Sequence, residues 1–348
     1  MSENKKQLIL AIESSADETS AAIIENGNKI LSLSTATQIA SHKRFGGIVP
    51  EVASRHHLEW INLVIDHALE QAGITDPKKQ LSAVAATYGP GLVGSLLVGL
   101  MAGKTLALTY DLPFIGVNHL VGHLQAAIFN QEIIYPSIGL LVSGGNTQMV
   151  WIESPNNFQL IGQTLDDAAG EAFDKIGRVL NLDYPAGQKL AELAKQGTTS
   201  IQLPKVKTEN PFDFSFSGLK SAMINYLHNA EQNNQSIEIA DCAASFQEAV
   251  IDEIIARVKL VLNDPKFKNA KQFLLGGGVA ANQLLRDELT KLLDKNSIIF
   301  NPAPVNLTGD NAAMIGSAAQ LKLNENEFSN LDLNAEPRVN FVEISQGL

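Results

Sequence analysis

Residues 8–24, with the sequence LILAIESSADETSAAII, decide the fold of this chain. Two apolar runs, 8–12 and 21–24, flank a polar turn that contains serines, acidic residues and a threonine. Apolar runs on both sides of a short polar turn are typical of a β-hairpin. Residues 29–37 indicate a third strand, so the chain is expected to open with a small sheet.

The same order of strand, polar turn and strand returns at residues 137–152, SIGLLVSGGNTQMVWI. The echo predicts an internal duplication, with one copy opening each of two lobes. A length of 348 residues also favours two lobes over a single core. We predict an N-terminal lobe at 1–134 and a C-terminal lobe at 135–348, the second with a helical insertion at about 166–263.

Strand and helix patterns alternate through the rest of the chain, which predicts an α/β protein. After the second hairpin the pattern is mainly helical up to residue 263, and residues 197–216 predict a loop. Further strands are expected at 82–87, 114–117, 272–275 and 297–300. Helices are expected at 50–73, 92–110, 119–129, 166–182, 186–195, near 217, 239–263, 282–293 and 311–323.

The composition is that of a globular protein, with 45% hydrophobic and 18% charged residues. One cysteine, Cys242, excludes an internal disulfide and fits a reducing compartment. The first apolar run is too short for a signal peptide, and no apolar stretch is expected to approach the length of a membrane span. These observations predict a cytoplasmic protein without a membrane partner.

The net charge of −11 argues against a nucleic-acid binder, because phosphate contacts need lysine and arginine. An RNA contact would require a local basic surface or a partner protein. The candidate residues for such a surface are His42, Lys43, Arg44, Arg55, Lys266, Lys268 and Lys271. The alternative is that each is a solvated charge on a loop or helix.

Three turns rich in glycine or serine follow apolar strands, at 14–20, 142–147 and 276–282. Glycine lets backbone N–H groups approach a phosphate, and a helix starting just after Gly278 would add its positive end. Turns at the carboxyl ends of strands favour a nucleotide-type ligand; three unrelated turns are the alternative. The P-loop motif is absent from the sequence, which disfavours that class.

His119 and His123 are four residues apart, so on a helix both imidazoles share one face. Such a pair can bind a metal if a carboxylate joins it and one position stays open. Asp310, near the start of the last helix, is the candidate third ligand if the two lobes face each other. The alternatives are that the pair lines a helix surface and that Asp310 is a helix cap. The H-E-x-x-H motif of zinc proteases is absent, since no glutamate follows His119.

Eight ordered segments spread from residue 9 to about 318 resemble the tRNA N6-adenosine threonylcarbamoyltransferases, once described as O-sialoglycoprotein endopeptidases. The segments are ILAIESSADET at 9, GGIVPEVASR at 46, GPGL at 89, NHLVGHL at 118, LVSGGNT at 141, DDAAGEAFDK at 166, FSFSGLK at 214 and GGGVAAN at 276. The resemblance implies the two-lobed fold of actin, sugar kinases and Hsp70 chaperones. It also implies one metal, iron or zinc, held by His119, His123 and Asp310.

The resemblance further implies a reaction and a binding site. A threonylcarbamoyl group would pass from threonylcarbamoyl-AMP to N6 of the adenosine beside the anticodon, in tRNAs that read codons beginning with adenine. Glu13 and Asp17 are candidate bases, and the choice between them stays open. The partners would be a smaller paralogous subunit and an ATPase subunit, as in bacteria. The implied substrate-binding residues are Val142, Ser143, Gly144, Gly145, Asn146, Asp174, Gly187 and Asn282.

Three positions depart from the family pattern. Ala16 stands where cysteine is usual, Val121 where an acidic or small residue is usual, and Asn146 where histidine is usual. Asn146 can still form hydrogen bonds but cannot become cationic near neutral pH. The rival functions are a small-molecule kinase of the same fold, a metalloprotease and a non-catalytic scaffold. The first would leave the histidine pair unexplained, the second lacks its glutamate, and the third needs neither the metal ligands nor the three turns.

Overall fold

A computed structural model describes residues 6–341 of the chain. The described residues form two compact units. The first contains the residues up to Glu132, the segment Pro155–Asn157 and the residues from Ala303 onward; the second contains Ile133–Ser154 and Phe158–Pro302. The segment that begins at Ala303 therefore groups with the first unit, whereas the predicted second lobe runs to residue 348. The predicted lobes, as domains, stay a prediction.

Between residues 6 and 341, ten strands and eleven α-helices make up the two units. The strands are β1 (Leu8–Glu13), β2 (Glu18–Glu25), β3 (Lys29–Thr37), β4 (Ala83–Gly89), β5 (Phe114–Asn118), β6 (Ser137–Val142), β7 (Thr147–Ser154), β8 (Asn157–Gln163), β9 (Gln272–Gly276) and β10 (Ile299–Pro302). The helices are α1 (Ile39–Lys43), α2 (Pro50–Gln71), α3 (Pro77–Gln80), α4 (Val93–Tyr110), α5 (His119–Gln125), α6 (Ala169–Val179), α7 (Gly187–Ala194), α8 (Ser217–Gln232), α9 (Ile239–Asn263), α10 (Gln283–Lys295) and α11 (Ala312–Glu325).

The sheet of the first unit has the order β3-β2-β1-β4-β5. β2 is antiparallel to β1 and β3, whereas β4 is parallel to β1 and β5 is parallel to β4. Leu10, Ile12 and Ile23 face α2 and α4 in one core, while Ala11 and Ile24 face Gly316 of α11 on the other side. Covering both faces makes β1 and β2 almost wholly buried, which is why their apolar runs are continuous.

The sheet of the second unit has the order β8-β7-β6-β9-β10, which repeats the strand order of the first. β6 and β7 form the second predicted hairpin, and β9 lies parallel to β6. The two hairpins therefore take the same place in two sheets of one topology, which confirms the predicted duplication. Four helices, α6 to α9, lie between β8 and β9 in the chain.

The structure corrects four expectations about the elements. β8 lies in a stretch that was predicted to be mainly helical, and α6 spans Ala169–Val179 where the prediction was 166–182. The segment after Gly278 is a 3-10 turn, Gly278–Ala281, and α10 begins only at Gln283. α4 is long and apolar enough to cross a membrane by length and composition, so the expectation of no such stretch was wrong. One face of α4 packs against β4 and α2, while Leu97, Met101 and Leu108 of the same helix are exposed.

Candidate functional site

The short helix α5 presents the two histidines. β5 ends at Asn118, whose side-chain oxygen accepts hydrogen bonds from the N–H groups of Leu120 at 2.8 Å and Val121 at 3.4 Å. This cap turns the strand directly into the helix. At Gly122 a Cβ would lie 3.0 Å from Ile315 of α11, so α5 packs closely on the helix that follows Asp310.

The structure brings His119, His123 and Asp310 together. Oδ1 of Asp310 lies 3.5 Å from Nε2 of His119 and 3.1 Å from Nε2 of His123. The three candidate ligand atoms lie within 4.8 Å of one another. All three residues belong to the first unit, so their meeting does not require the facing lobes that the sequence analysis invoked.

The surroundings of His123 fit a metal ion better than a hydrogen bond. The side chain is buried, and among residues 6–341 neither ring nitrogen has a partner with hydrogen-bond geometry, despite the 3.1 Å approach to Asp310. Leaving buried polar atoms unpaired is costly, and an ion shared with Asp310 would satisfy Nε2 of the ring. Burial lowers the pKa of His123, which favours the neutral form that binds metals.

Glu13, at the end of β1, orients the ring of His119 from behind. Its Oε2 lies 3.0 Å from Nδ1 of His119 and accepts a hydrogen bond from Oγ1 of Thr87 at 2.6 Å. Its Oε1 accepts from the N–H of Ser15 at 2.5 Å. Because a carboxylate only accepts, Nδ1 of His119 carries a proton and Nε2 is directed at Asp310. A carboxylate behind a histidine is the usual support of a metal ligand.

Because of the charges in this cluster, a proton and a metal ion compete for the same nitrogen of His119. Burial of His119 disfavours the charged ring, but Glu13 and Asp310 raise the pKa of His119 to about 10. Burial opposes ionisation of the two carboxyls as well, yet the charge of His119 lowers the pKa of both. A metal ion would replace the proton on Nε2, so its binding would release a proton.

The turn between β6 and β7 is built from backbone. The N–H of Ser143 donates to the carbonyl of Asn146 at 2.8 Å, and the N–H of Asn146 donates to Oγ of Ser143 at 3.1 Å. Gly144 and Gly145 at its tip are exposed, and a Cβ at either would meet nothing within 4 Å. The N–H of Gly170, in the first turn of α6, donates to the carbonyl of Ser143 at 3.2 Å. The turn is therefore fixed at its base and open at its tip.

The third predicted turn lies against the second. Gly277 has a φ of +93°, and a Cβ there would come 2.4 Å from the carbonyl oxygen of Val142. Asn282 caps α10 by accepting from the N–H of Leu285 at 3.2 Å, and its Nδ2 donates to Gln247 at 2.8 Å. Val142–Asn146 and the loop at 276–282 thus form one surface of the second unit, with Asn282 used structurally.

Asp174 and Gly187 meet through another contact in the second unit. Oδ1 of Asp174 accepts from the N–H of Ala186 at 2.8 Å, directly before α7 begins at Gly187. Burial raises the pKa of Asp174, and the backbone N–H groups of Ala186 and Gly187 oppose that rise. One oxygen of the carboxylate is therefore already used in a hydrogen bond to the start of α7.

Some residues were misjudged or missed in the sequence. His42 was a candidate for a basic surface, but its side chain is buried; Arg55 is exposed and pairs with Glu51 at 2.6 Å, and its part in such a surface stays a prediction. Glu13 was a candidate base, whereas its oxygens are occupied by Ser15, Thr87 and His119. Thr87 was missed because a threonine at the end of a strand carries no signal; only the parallel pairing of β4 with β1 reveals it.

Comparison with solved structures defines the class of the fold. The chain aligns with T. kodakarensis HypF at a TM-score of 0.61 and 16% identity, covering 92% of this chain and 48% of that one. It aligns with component A of the Acidaminococcus fermentans (R)-2-hydroxyglutaryl-CoA dehydratase at a TM-score of 0.52 and 18% identity, covering 90% and 97%. The chain therefore has the actin-like ATPase fold that was predicted.

Comparison of sequences identifies the family. The profile of the tRNA N6-adenosine threonylcarbamoyltransferases matches residues 29–317. The Oenococcus oeni protein of that name is 58% identical over 99% of this chain and all of its own length. The Enterococcus faecalis protein is 48% identical over 98% of both chains. This chain belongs to the tRNA N6-adenosine threonylcarbamoyltransferase family, a family of metal-dependent transferases, and its His/Asp cluster can hold a metal.

Proposed function

We propose that this chain transfers the threonylcarbamoyl group from threonylcarbamoyl-AMP to N6 of the adenosine beside the anticodon, in tRNAs that read codons beginning with adenine. The observation that carries the proposal is a family match along the chain in which His119, His123 and Asp310 also converge within one unit. The rival of a small-molecule kinase would have no use for this cluster. A scaffold would not need a buried glutamate that orients one of the histidines.

The reaction forms a bond from N6 to the carbamoyl carbon and breaks the bond from that carbon to a phosphate oxygen of AMP. N6 loses a proton, and AMP leaves with the electron pair. An exocyclic adenine amine is a weak nucleophile because its lone pair is delocalised, so the carbonyl must be activated. A divalent ion bound by Nε2 of His119, Nε2 of His123 and Asp310 would act as a Lewis acid. Glu13 keeps Nδ1 of His119 protonated and its Nε2 available.

The glycine turns of the second unit are proposed to bind the adenylate. The open tip at Gly144 and Gly145 leaves room for a phosphate beside the backbone. Binding both substrates side by side would supply much of the rate, since it removes the entropy cost of their encounter. The full proposed set of substrate-binding residues is Val142, Ser143, Gly144, Gly145, Asn146, Asp174, Gly187 and Asn282.

We also propose the metal and the partners. Two imidazoles and a carboxylate suit iron or zinc, one ion in each subunit, with positions left for substrate. The proposed protein partners are the smaller paralogous subunit and the ATPase subunit. Exposed leucines support a protein contact on helices α2 and α4, where Leu58 is 66% exposed, Leu63 65% and Leu108 70%. A cytoplasmic location follows from action on tRNA.

Mass spectrometry of anticodon-loop nucleosides tests the function. Cells depleted of this protein should lose threonylcarbamoyladenosine, and the wild-type gene should restore it. His119→Ala should fail to restore it although the variant protein accumulates normally. An unchanged level of the modified nucleoside in depleted cells would contradict the proposal. Phosphorylation of a sugar by the purified protein would favour the kinase instead.

A further inference from the structure

The segment from Gln38 to Val49 contains α1 and the turn that follows it, and is here called the 38–49 loop; it places the guanidinium of Arg44 over the exposed ring of Phe45. Cζ of Arg44 lies 4.6 Å from the ring centroid of Phe45. Both side chains are exposed, and Phe45 is 48% exposed. A guanidinium over a ring is a weak attraction in water, so the pair contributes little to folding. Its exposed face is available to a ligand that is both flat and negatively charged.

Buried polar groups fix the 38–49 loop from below. The N–H of Val49 donates to Nδ1 of His42 at 3.3 Å, so Nε2 carries the ring proton and donates to Oε1 of Gln38 at 3.0 Å. Nε2 of Gln38 in turn donates to the carbonyl of Ala53 at 3.2 Å. The N–H of Phe45 closes the turn on the carbonyl of His42 at 2.9 Å. Arg44 and Phe45 are therefore presented by a built turn, which reduces the entropy cost of binding.

The 38–49 loop starts at the polar turn between β1 and β2, within the unit that holds the candidate metal centre. Glu18 lies opposite Thr37 in the pairing of β2 with β3, and Oγ1 of Thr37 donates to Glu18 at 2.9 Å. The N–H of Gln38 donates to the carbonyl of Asp17 at 3.1 Å. This turn continues from Glu13, which holds His119. The first residue of the loop therefore contacts the polar turn that supports the metal ligands.

We propose that the 38–49 loop binds the single-stranded part of the acceptor RNA, with Phe45 stacked on a base and Arg44 at a phosphate. The inference rests on the proposed function and names the surface that its RNA would contact. A chain of net charge −11 needs local cations for RNA, and Lys43 adds one beside Arg44. Single-stranded RNA is bound by aromatic stacking together with arginine. For a protein partner, the exposed leucines of α2 and α4 are a better contact surface than this loop.

The test compares tRNA binding and transfer in the reconstituted reaction for matched variants. Phe45→Ala is paired with Phe328→Ala, because Phe328 is also 48% exposed and belongs to the same unit. Arg44→Gln is paired with Lys29→Gln, which removes one charge at the opposite end of the β2–β3 hairpin. The readouts are Kd for tRNA at several salt concentrations, KM for tRNA, KM for the adenylate, and kcat.

Phe45→Ala should raise Kd and KM for tRNA about tenfold or more, because one lost base stack has that effect, and Phe45→Trp should restore both. Arg44→Gln should reduce the slope of log Kd against log salt by about one. Both loop variants should keep KM for the adenylate within about twofold of the wild-type value, and both controls should match wild type in tRNA binding.

A Kd for tRNA that does not change in Phe45→Ala would overturn the inference and leave the proposed function intact. The inference would also fall if Phe45→Ala weakened binding of the partner subunits while Kd for tRNA stayed constant. If the wild-type protein bound tRNA but transferred nothing, the proposed function would fail, and the comparison of Kd values would still decide the role of the loop.

Discussion

The turn after β1 and the turn after β6 occupy the same place in two sheets of the same strand order, yet their chemistry differs. The first turn buries side chains: Glu13, Ser14 and Ser15 are each at most 1% exposed. The second turn, at 143–146, exposes backbone at Gly144 and Gly145. One scaffold thus carries a turn whose side chains support a metal site and a turn whose backbone is open to a ligand.

The difference follows from what each kind of ligand requires. A small cation needs anionic and imidazole ligands held rigidly, and burying a carboxylate is tolerable only if it is paired and hydrogen-bonded, as Glu13 is. A phosphate needs N–H groups and close approach, which a side chain would block. Variants in the two turns should therefore separate metal binding from adenylate binding.

Loss of a metal ligand should have the largest effect. His123→Ala removes an imidazole from the cluster, so metal affinity should fall by more than the roughly 10–100-fold typical of outer-shell changes, and transfer should fall with it. Metal content by elemental analysis and transfer by nucleoside mass spectrometry are the measurements. His56→Ala, a histidine of α2 that stacks on Trp60, is the control. Full metal content in His123→Ala would refute the predicted ligand set.

Glu13→Gln should have the next largest effect. A glutamine has the same size but can donate to Nδ1 of His119, which moves the ring proton to Nε2 and blocks the metal ligand. Metal affinity should fall roughly 10–100-fold, whereas KM for the adenylate should stay near the wild-type value. Titration with zinc or ferrous ion measures the first effect. Glu59→Gln, an exposed change on α2, is the matched control. Equal metal affinity in Glu13→Gln and wild type would show that the glutamate does not support the site.

Gly277→Ala should give the reverse of the result for Glu13→Gln, with weaker adenylate binding and unchanged metal binding. The backbone at Gly277 has a positive φ, which alanine tolerates poorly. A Cβ there would lie 2.4 Å from the carbonyl oxygen of Val142, so the substitution would force the two turns apart. The variant should lose about 1–3 kcal/mol of unfolding free energy and bind the adenylate more weakly, while metal content stays normal. Denaturant unfolding and AMP titration measure these effects. Gly144→Ala, where a Cβ meets nothing, should match wild type in unfolding free energy. A loss of metal in Gly277→Ala would contradict the separation of roles.

Much of this comparison could be predicted from the sequence. The two hairpins, the spacing of His119 and His123, and the boundaries of α9 follow from local patterns that act over a few residues. The strand β8 could not be found in this way. Its sequence NFQLIGQ is short and polar at both ends, and only pairing at the edge of the sheet settles its conformation.

The finer parts of the site depend on contacts between distant residues. The support that Thr87 gives to Glu13 arises because β4 lies parallel to β1, a pairing across about seventy positions. The burial of His42 follows from its hydrogen bonds to Gln38 and Val49. Its position beside basic residues had instead predicted an exposed side chain. The convergence of Asp310 with the histidine pair was predicted on the condition that the two lobes face each other, and again from the family resemblance, because spacing alone cannot bring residues so far apart together.

The smallest predicted effect is a pH dependence of the unfolding free energy that arises from Glu18. This residue begins β2, directly after the first turn. The second turn, at 143–146, contains no carboxylate and cannot show such an effect. Burial and the neighbouring Asp17 raise the pKa of Glu18 from 4.5 to about 8. The folded chain therefore keeps a proton that the unfolded chain releases, so the stabilisation is complete below pH 4.5 and is lost as the pH rises towards 8.

Glu18→Gln should remove this dependence, because its amide stays neutral. Unfolding by denaturant in a metal chelator, at about pH 5 and about pH 9, should show that the variant gains stability relative to wild type at the higher pH. Glu59→Gln should show no such gain, since Glu59 is exposed on α2. A constant difference between wild type and Glu18→Gln at both pH values would show that Glu18 ionises normally, and the contrast between the two turns would then rest on the metal ligands and the glycines alone.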